Sequence, residues 1–324
     1  MLDQILQLFA KHPGQFLSGE EISNQLNCSR TAVWKHIRQL RKEGYLIEAQ
    51  PRNGYRFIRE PERILPSRIA SMLRTKRLGH ELKVYESLPS TQQKAFEIAA
   101  KEEGAQEGLL IVAETQTAGK GRMGRSWLSP SGKGLWVSLV LKPSVTLQFT
   151  PQLTLLIAVA VCRVMNRMEI PASIKWPNDL LIHGKKCAGI LLETSAEDER
   201  VKLAVAGIGI NVNLDTDDFD EASVQRSTSL KIAAGRHIDR ESLLCDILYE
   251  LEQLYDLYLQ KGFEPIKSLW EALSSTLQQT VTVETLSGKI TGKAVGINPW
   301  GALIVETSPG ECTPLYSGDL KSPF

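Results

Sequence analysis

Apolar residues at Ile5, Leu6 and Phe9, followed by Phe16 and Leu17, bracket a short first helix. Ser18, with Glu21 three positions later, has the form of a capping box and opens a second helix that ends near Leu26. Asn27 and Cys28 turn the chain, and Ser29 caps a third helix whose Val33, Ile37 and Leu40 recur at i, i+4 and i+7 on one buried face. After Gly44 the period changes to alternation. Tyr45 to Ala49 and Tyr55 to Ile58 then read as two strands joined by an Asn53-Gly54 hairpin turn. Helices, turn and hairpin in this order form a winged helix-turn-helix.

Residues 60 to 66 carry two prolines and read as a linker. Beyond it the pattern mixes helix and strand. Lys83 to Glu86 and Leu109 to Ala113 are predicted strands around a helix near Gln92 to Glu103. Leu135 to Leu141 is a further strand, Leu153 to Arg167 a buried helix, and Val205 to Asn213 an apolar strand. Two short strands flank a turn at Pro177-Asn178-Asp179. From Gln278 onward, short β stretches alternate with Gly and Pro turns, which predicts a small SH3-like β-barrel. The fold class is therefore α+β multidomain, with a winged helix over 1–63, a mixed α/β domain over 64–275 and the barrel over 276–324.

Length supports that division, since 324 residues exceed the usual range of about 100 to 200 per domain. At 42% hydrophobic and 23% charged, the composition excludes disorder. Five scattered cysteines, odd in number and without a C-x-x-C pair, argue against a disulfide framework or zinc knuckle and fit a reducing compartment. The five histidines offer no metal-ligand spacing, so no protein-only metal site is expected. The N-terminus lacks a basic region and cleavage site, and the apolar run Leu155 to Cys162 falls short of the roughly 18 residues a membrane span needs. A soluble, cytoplasmic protein without a membrane partner is expected.

The net charge of +1 advertises no polyanionic partner, but its distribution is uneven. Residues 28 to 59 hold eight basic residues against two acidic ones. The outer face of the third helix presents Arg30, Thr31, Trp34, Lys35 and Arg38 beside Ser29, a mixture suited to phosphates and base edges, and Arg52 and Arg56 lie near the tip of the wing. DNA binding by a homodimer on a two-fold operator follows. The competing readings are a basic face that is merely solvated and a winged fold that mediates protein contacts.

The segment 114 to 134 contains five glycines, four basic residues and one acid. Gly119, Gly121 and Gly124 let backbone N–H groups approach a ligand, while Lys120, Arg122 and Arg125 add fixed charge, as a phosphate or carboxylate requires. Its G-x-G-x-x-G spacing also matches a dinucleotide fingerprint, but Ser126 to Gly134 reads as loop where that motif needs a helix. The bland alternative is a flexible surface loop. Lys186, set among Cys187, Ala188, Ile190 and Leu191, is an interior charge that needs an anion, either a ligand or an acid such as Glu193. Asn211 and Asn213, at the exit of the apolar strand, are not explained by core packing.

Together these residues resemble the biotin protein ligases that double as biotin operon repressors. The resemblance covers nearly the whole chain: the winged helix, Ser90-Thr91-Gln92, Gln116, Gly119 to Trp127, Lys175 to Asp179, Lys186 to Ile190 and Gly207 to Asn211 occur in the family's order. The family's loop usually reads G-R-G-R-x-G-R, so Lys120 keeps the charge but not the guanidinium fork. The resemblance implies a class II synthetase-like central domain that joins biotin to ATP, with Mg2+, as biotinyl-5'-AMP. That adenylate then biotinylates a lysine of a biotin carboxyl carrier protein, such as that of acetyl-CoA carboxylase, and serves as the corepressor that drives dimerisation on operator DNA.

Family position further implies that Ser90, Thr91, Gln92, Gln116, Lys120, Gly121, Arg122 and Lys186 bind biotin. Gly119, Arg125, Trp127, Asn178 and Asn211 are implied to bind the adenylate, with Lys186, Asp179 and Arg122 catalytic. Two alternatives remain, a non-catalytic biotin-sensing repressor and a lipoyl or octanoyl ligase on the same central architecture.

Overall fold

The computed structural model describes residues 1–42, 44–59, 63–101, 106–285 and 288–321. Its packing separates two units, Met1–Leu65 and Pro66–Phe324.

The first unit is built of α1 (Leu2–Lys11), α2 (Gly19–Gln25), α3 (Arg30–Lys42), β1 (Leu46–Gln50) and β2 (Gly54–Arg59). The capping box forms: Glu21 N donates to Ser18 Oγ at 3.1 Å, and Ser18 N donates to the Glu21 carboxylate at 2.7 Å. Ser29 Oγ accepts from Ala32 N at 3.1 Å and so caps α3. Ile5, Phe9, Ile22, Val33, Ile37 and Leu40 make the core.

The hairpin turn differs from the expected Asn-Gly pair. Gln50 faces Gly54 across the ladder, so the turn is Pro51 to Asn53, with Arg52 in the left-handed region at φ 72°. Gly54 begins the strand instead. It is required there because φ is +96° and a Cβ would stand 2.1 Å from the Leu17 carbonyl. Leu17 and Tyr55 exchange two backbone hydrogen bonds of 2.8 Å, which tie the hairpin to the segment before α2.

The second unit runs α4 (Pro66–Met72), β3 (Leu82–Leu88), α5 (Thr91–Lys101), β4 (Leu110–Gln116), β5 (Gly134–Leu141), α6 (Thr150–Arg167), β6 (Ala172–Lys175), β7 (Asp179–Ile182), β8 (Lys185–Glu197), β9 (Arg200–Asn211), α7 (Leu230–Ala234), α8 (Arg240–Lys261) and α9 (Glu264–Leu273). It closes with β10 (Thr280–Thr285), β11 (Gly288–Ile297), β12 (Leu303–Ser308), β13 (Glu311–Leu315) and β14 (Asp319–Lys321). Seven strands form one sheet in the order β3-β4-β5-β9-β8-β7-β6, with only β3 and β4 parallel. Every residue of β5 is buried, because α5 and α8 both pack against it. The last five strands form an antiparallel sheet, β13-β12-β11-β10-β14, where the SH3-like barrel was expected.

Several boundaries move for local reasons. Helix α6 starts at Thr150 with Pro151 in its first turn, where a missing N–H costs nothing. Its length and composition would allow it to cross a membrane, but it is mostly buried and packs on α8, α9, β6 and β8 as a core helix. The expected end of α5 at Glu103 lies outside the described residues, which stop at Lys101. Asp179 is the first residue of β7 rather than part of the turn, and pairs in register with Lys175.

Helix α8 has no counterpart in the sequence reading, since its buried positions include Arg240, Glu241, Glu250 and Glu252 and break any simple apolar stripe. All four are partnered: Glu241 pairs with Arg68, and Glu250 with Arg163 and Arg167. Arg240 Nη1 donates to Glu114 Oε2 at 2.9 Å and to the Gly134 carbonyl at 3.1 Å. Glu252, 2% exposed, accepts from Lys76 N, Arg77 N and Leu78 N at 2.6, 2.9 and 3.0 Å, which fixes the turn before β3.

Burial alone would raise the Glu252 pKa, but these three N–H donors outweigh it and hold the carboxyl below its usual range. A depressed folded-state pKa contributes stability above the unfolded value, which is lost as pH falls through the folded one. Glu252→Gln is therefore expected to lower the urea midpoint of the full chain at pH 7, with the gap to wild type closing as pH falls below about 4, the ordinary glutamate range.

Candidate functional site

One cavity of about 810 Å³ collects all fourteen expected ligand and catalytic residues: Ser90, Thr91, Gln92, Gln116, Gly119, Lys120, Gly121, Arg122, Arg125, Trp127, Asn178, Asp179, Lys186 and Asn211. They arrive from separate elements. Ser90 and Thr91 open α5, Gln116 ends β4, residues 119–127 form the following loop, Asn178 ends the β6–β7 turn, Asp179 starts β7, and Lys186 and Asn211 lie on β8 and β9.

The loop is folded rather than slack. Trp127 N donates to Gly119 O at 2.9 Å and Gly121 N to Arg125 O at 2.7 Å, and Lys120 bridges Ser126, so the segment is a small hairpin with a 3₁₀ turn at Arg122–Gly124. Gly119 and Gly124 serve different ends. A Cβ on Gly119 would lie 2.5 Å from the Trp127 carbonyl, so its role is internal packing, and Gly124 supplies φ +73° in open space. Met123 at the tip adopts φ 55° and is exposed.

Below the loop, the Trp127 ring lies on β8 and β9. A Cβ on Gly209 would stand 2.7 Å from the ring, and one on Gly189 3.1 Å. The glycines of these strands thus make room for side chains, Trp127 above Gly189 and Gly209, and Gln92 against Gly207. Lys186 Nζ sits 5.1 Å from the Trp127 ring centre, and Trp136 meets that ring edge-on at 6.4 Å. The Trp127 indole N–H is buried without a hydrogen-bond partner, whereas that of Trp136 donates to the Pro130 carbonyl at 3.2 Å.

At one wall runs a chain of polar side chains. Thr91 N donates to Gln116 Oε1 at 2.8 Å, Thr91 Oγ1 donates to Ser138 Oγ at 2.8 Å, and Gln116 Nε2 donates to Ser129 Oγ at 3.0 Å. Ser138 Oγ in turn donates to Gln92 Oε1 at 3.1 Å, while Gln92 Nε2 donates to the carbonyls of Val205 and Leu191 at 2.8 and 3.3 Å. Gln92 therefore braces α5 against the sheet with its whole amide. Asn213 is likewise structural, exchanging two hydrogen bonds of 2.9 Å with the backbone of Ile238.

At the opposite wall positive charge converges. Lys186 Nζ lies 2.6 Å from Asp179 Oδ1, so its protein partner is Asp179 and not Glu193. Burial pushes the Arg122 guanidinium below its usual pKa, Asp179 opposes that shift, and Arg125 adds to it. Lys175 is lowered in the same way, by burial first and by Lys186, against Asp179. Arg122 Nη1 donates to Asn178 Oδ1 at 3.2 Å, and Asn178 Nδ2 donates to the Ile190 carbonyl at 2.7 Å. Asn178 thus anchors Arg122 to β8. Asn211 Nδ2 donates to the Thr228 carbonyl at 3.1 Å.

Sequence reasoning missed Lys175, Ser129 and Ser138, the segment Phe219 to Ser227, and Gly318 and Leu320 from the last sheet, all of which contribute to the cavity. Ser138 carried a usable signal, as the one polar residue between Leu135 and Leu141. Gly318 and Leu320 carried none. No group of three potential metal-ligating side chains occurs among the described residues. Burial pushes the Cys162 thiol up to about 12 and the Cys187 thiol higher, so neither is a ready nucleophile.

In the first unit Ser29, Arg30, Thr31, Trp34, Lys35 and Arg38 are all exposed on or before α3. The Arg38 guanidinium lies 5.5 Å from the Trp34 ring centre. Two expected contacts are already engaged: Arg30 pairs with Glu20, and Arg56 pairs with Glu48 across the hairpin and stacks on Phe16 at 4.6 Å. Arg56 thus braces the wing away from its tip, which leaves Arg52 at the turn.

Comparison with known proteins matches an HTH domain over residues 2–56, the Biotin/lipoate A/B protein ligase family over 84–213 and the Biotin protein ligase C terminal domain over 276–320. The bifunctional ligase/repressor BirA of Bacillus subtilis is 46% identical over 98% of this chain and 97% of its own length. The chain belongs to the BirA family of bifunctional ligase/repressors. Its Escherichia coli relative is 30% identical over 95% of this chain and 93% of its own. The biotin protein ligase of Aquifex aeolicus, solved with biotin and ATP, superposes with a TM-score of 0.64 at 31% identity over 75% of this chain and 98% of that one.

Within this family member, Asn178→Ala leaves Arg122 and the Ile190 carbonyl without their partner. A loss of about 1–3 kcal/mol, the cost of unsatisfied buried polar groups, is expected in urea unfolding of the full chain.

Proposed function

We propose that the chain activates biotin with ATP to biotinyl-5'-AMP, transfers biotin to a lysine of a carrier protein, and represses transcription through its winged helix. The observation that supports this most directly is the cavity wall itself. Five basic residues, Lys120, Arg122, Arg125, Lys175 and Lys186, face it against Asp179 and Asp220, beside a neutral polar wall suited to a ureido head.

The chemistry needs that imbalance. A biotin carboxylate oxygen must attack the α-phosphorus while the bond to the β-phosphate breaks and pyrophosphate leaves. Two unit charges brought to about 4 Å repel by about 4 kcal/mol at an effective dielectric of 20, so fixed cations must offset them. Lys186 and Arg122 are placed to do so, with Lys120 and Arg125 above them on the loop. Magnesium comes as part of the nucleotide substrate, held by its phosphates.

Lys186 is shared between Asp179 and the incoming anion. Once the acyl phosphate draws the Lys186 ammonium, the Asp179 carboxylate can orient the acceptor amine. That nitrogen, as the neutral amine, attacks the acyl carbon, the acyl–oxygen bond breaks, AMP leaves with the electron pair, and the proton shed by the nitrogen passes to the Asp179 carboxylate and on to solvent. Ser90, Thr91 and Gln116 hold biotin, while Trp127 and Asn211 wall the adenylate and Gly119 and Gly121 shape the loop over it.

Residues 1–63 read the operator, 64–275 carry the chemistry, and 276–324, an SH3-like barrel, complete the cavity. The adenylate acts as corepressor by favouring a homodimer that presents two wings. The acceptor is a biotin carboxyl carrier protein such as that of acetyl-CoA carboxylase, and the cytoplasm is the working compartment.

Biotin-dependent exchange of pyrophosphate into ATP tests the enzyme. Wild type is expected to exchange and Lys186→Ala to lose about a hundredfold or more, the usual effect of removing one transition-state donor. No exchange with biotin leaves a sensing repressor, and exchange with lipoate in its place indicates a lipoyl ligase.

The DNA half separates from this. Arg38→Ala is expected to weaken operator binding and flatten its salt dependence while leaving exchange unchanged; retained affinity in a mobility-shift titration contradicts the assignment.

A further inference from the structure

After β9 the chain does not pass straight into α7. Residues 215–227 cross the cavity, and Phe219, Asp220, Ser223 and Ser227 line it. This flap is pinned at both ends. At its start, Lys133 Nζ donates to both carboxylate oxygens of Asp218, at 2.7 and 2.5 Å, and lies 4.0 Å from Asp215. The other Asp215 oxygen accepts from Lys231 Nζ at 2.7 Å, and Asp215 N donates to Asp218 Oδ2 at 2.7 Å. Lys133 is itself fixed, since Asn213 N donates to its carbonyl at 2.6 Å. At the far end, Lys186 N donates to Arg226 O at 2.8 Å, and Thr228 N donates to Lys186 O at 2.9 Å.

We infer that Lys133 is a positioning residue that staples this flap through Asp218 and so sets how long the acyl-adenylate stays in the site. The inference rests on the ligase reading above. Residues 215–221 carry five acids, beside a cavity whose cations await an anion. Loose carboxylates there would compete with the nucleotide for Arg122 and Lys186. Lys133 and Lys231, which do not line the cavity, engage Asp218 and Asp215 on the flap's other side. Asp218 is held below the usual carboxylate range although its burial works the other way, because Lys133 and the Asp215 backbone favour its charged form. The flap's far end is bonded to the Lys186 backbone, so the flap and that lysine are tied to one another.

The test uses the full chain and biotinol-adenylate, a stable analogue lacking the acyl carbonyl. Lys133→Met is expected to speed its release about fivefold, the scale of a partly exposed ion-pair network, with association within about twofold. Lys133→Arg should restore slow release, and the difference between wild type and Lys133→Met should shrink at high salt.

Hydrogen exchange of the ligand-free protein supplies a readout independent of the ligase reading. Amides of 216–226 should exchange about fivefold faster in Lys133→Met, with those of 135–141 unchanged. Unchanged exchange overturns the staple, and faster exchange with unchanged release overturns its role in retention. If the analogue binds neither protein, the ligase reading fails, while exchange still decides whether the staple exists.

Discussion

Crowded positive charge around one carboxylate organises this molecule. Arg122, Lys175 and Lys186 converge near Asp179 in a cavity that already desolvates two of them. Such a cluster is unfavourable unless an anion completes it, and neighbouring elements are arranged to hold it in place until then. Asn178 fixes Arg122 to β8, the Trp127 ring lies against Lys186, and the backbone of residues 226–228 clamps the Lys186 main chain. Stability spent on holding like charges together is recovered when substrate arrives, which is how a binding site is preorganised.

The sheet supplies the rigidity this requires. Strand β5 is buried along its whole length, and the glycines of β8 and β9 open a trough in which Trp127 and Gln92 lie directly on the backbone. Polar wall and cationic wall thus share one floor. The polar wall is internally bonded from Gln92 through Ser138, Thr91 and Gln116 to Ser129, so its geometry does not depend on a ligand.

Much of this was legible in sequence where one residue carries one physical reason. The capping box of Ser18 and Glu21, the i, i+4, i+7 face of α3 and the need of Lys186 for an anionic partner each predicted a feature that the structure contains. Reading failed where the reason lies elsewhere in the chain. Nothing near Lys186 in sequence selects Asp179 over Glu193, because the β7–β8 register decides it. Nothing local distinguishes Arg56, neutralised by Glu48 across the hairpin, from Arg38 on the open helix face. Helix α8 escaped because the partners of its buried charges are distant in sequence: Arg240 is satisfied by Glu114 and Glu252 by the turn at Lys76 to Leu78, each more than a hundred residues away. The glycine loop reads in sequence as backbone open to a ligand; the structure adds that Gly119 packs on the Trp127 carbonyl and that Gly124 supplies the positive φ of the turn.

The unmatched indole nitrogen of Trp127 bears on how firmly the loop rests on its floor. A ring with every polar atom satisfied behaves as an anchor, as Trp136 does against Pro130. Trp127 has no such protein partner, so what holds its ring in the glycine trough is close packing on Gly189 and Gly209 and not a directed bond, and packing of that kind constrains the ring's plane more than its rotation within it.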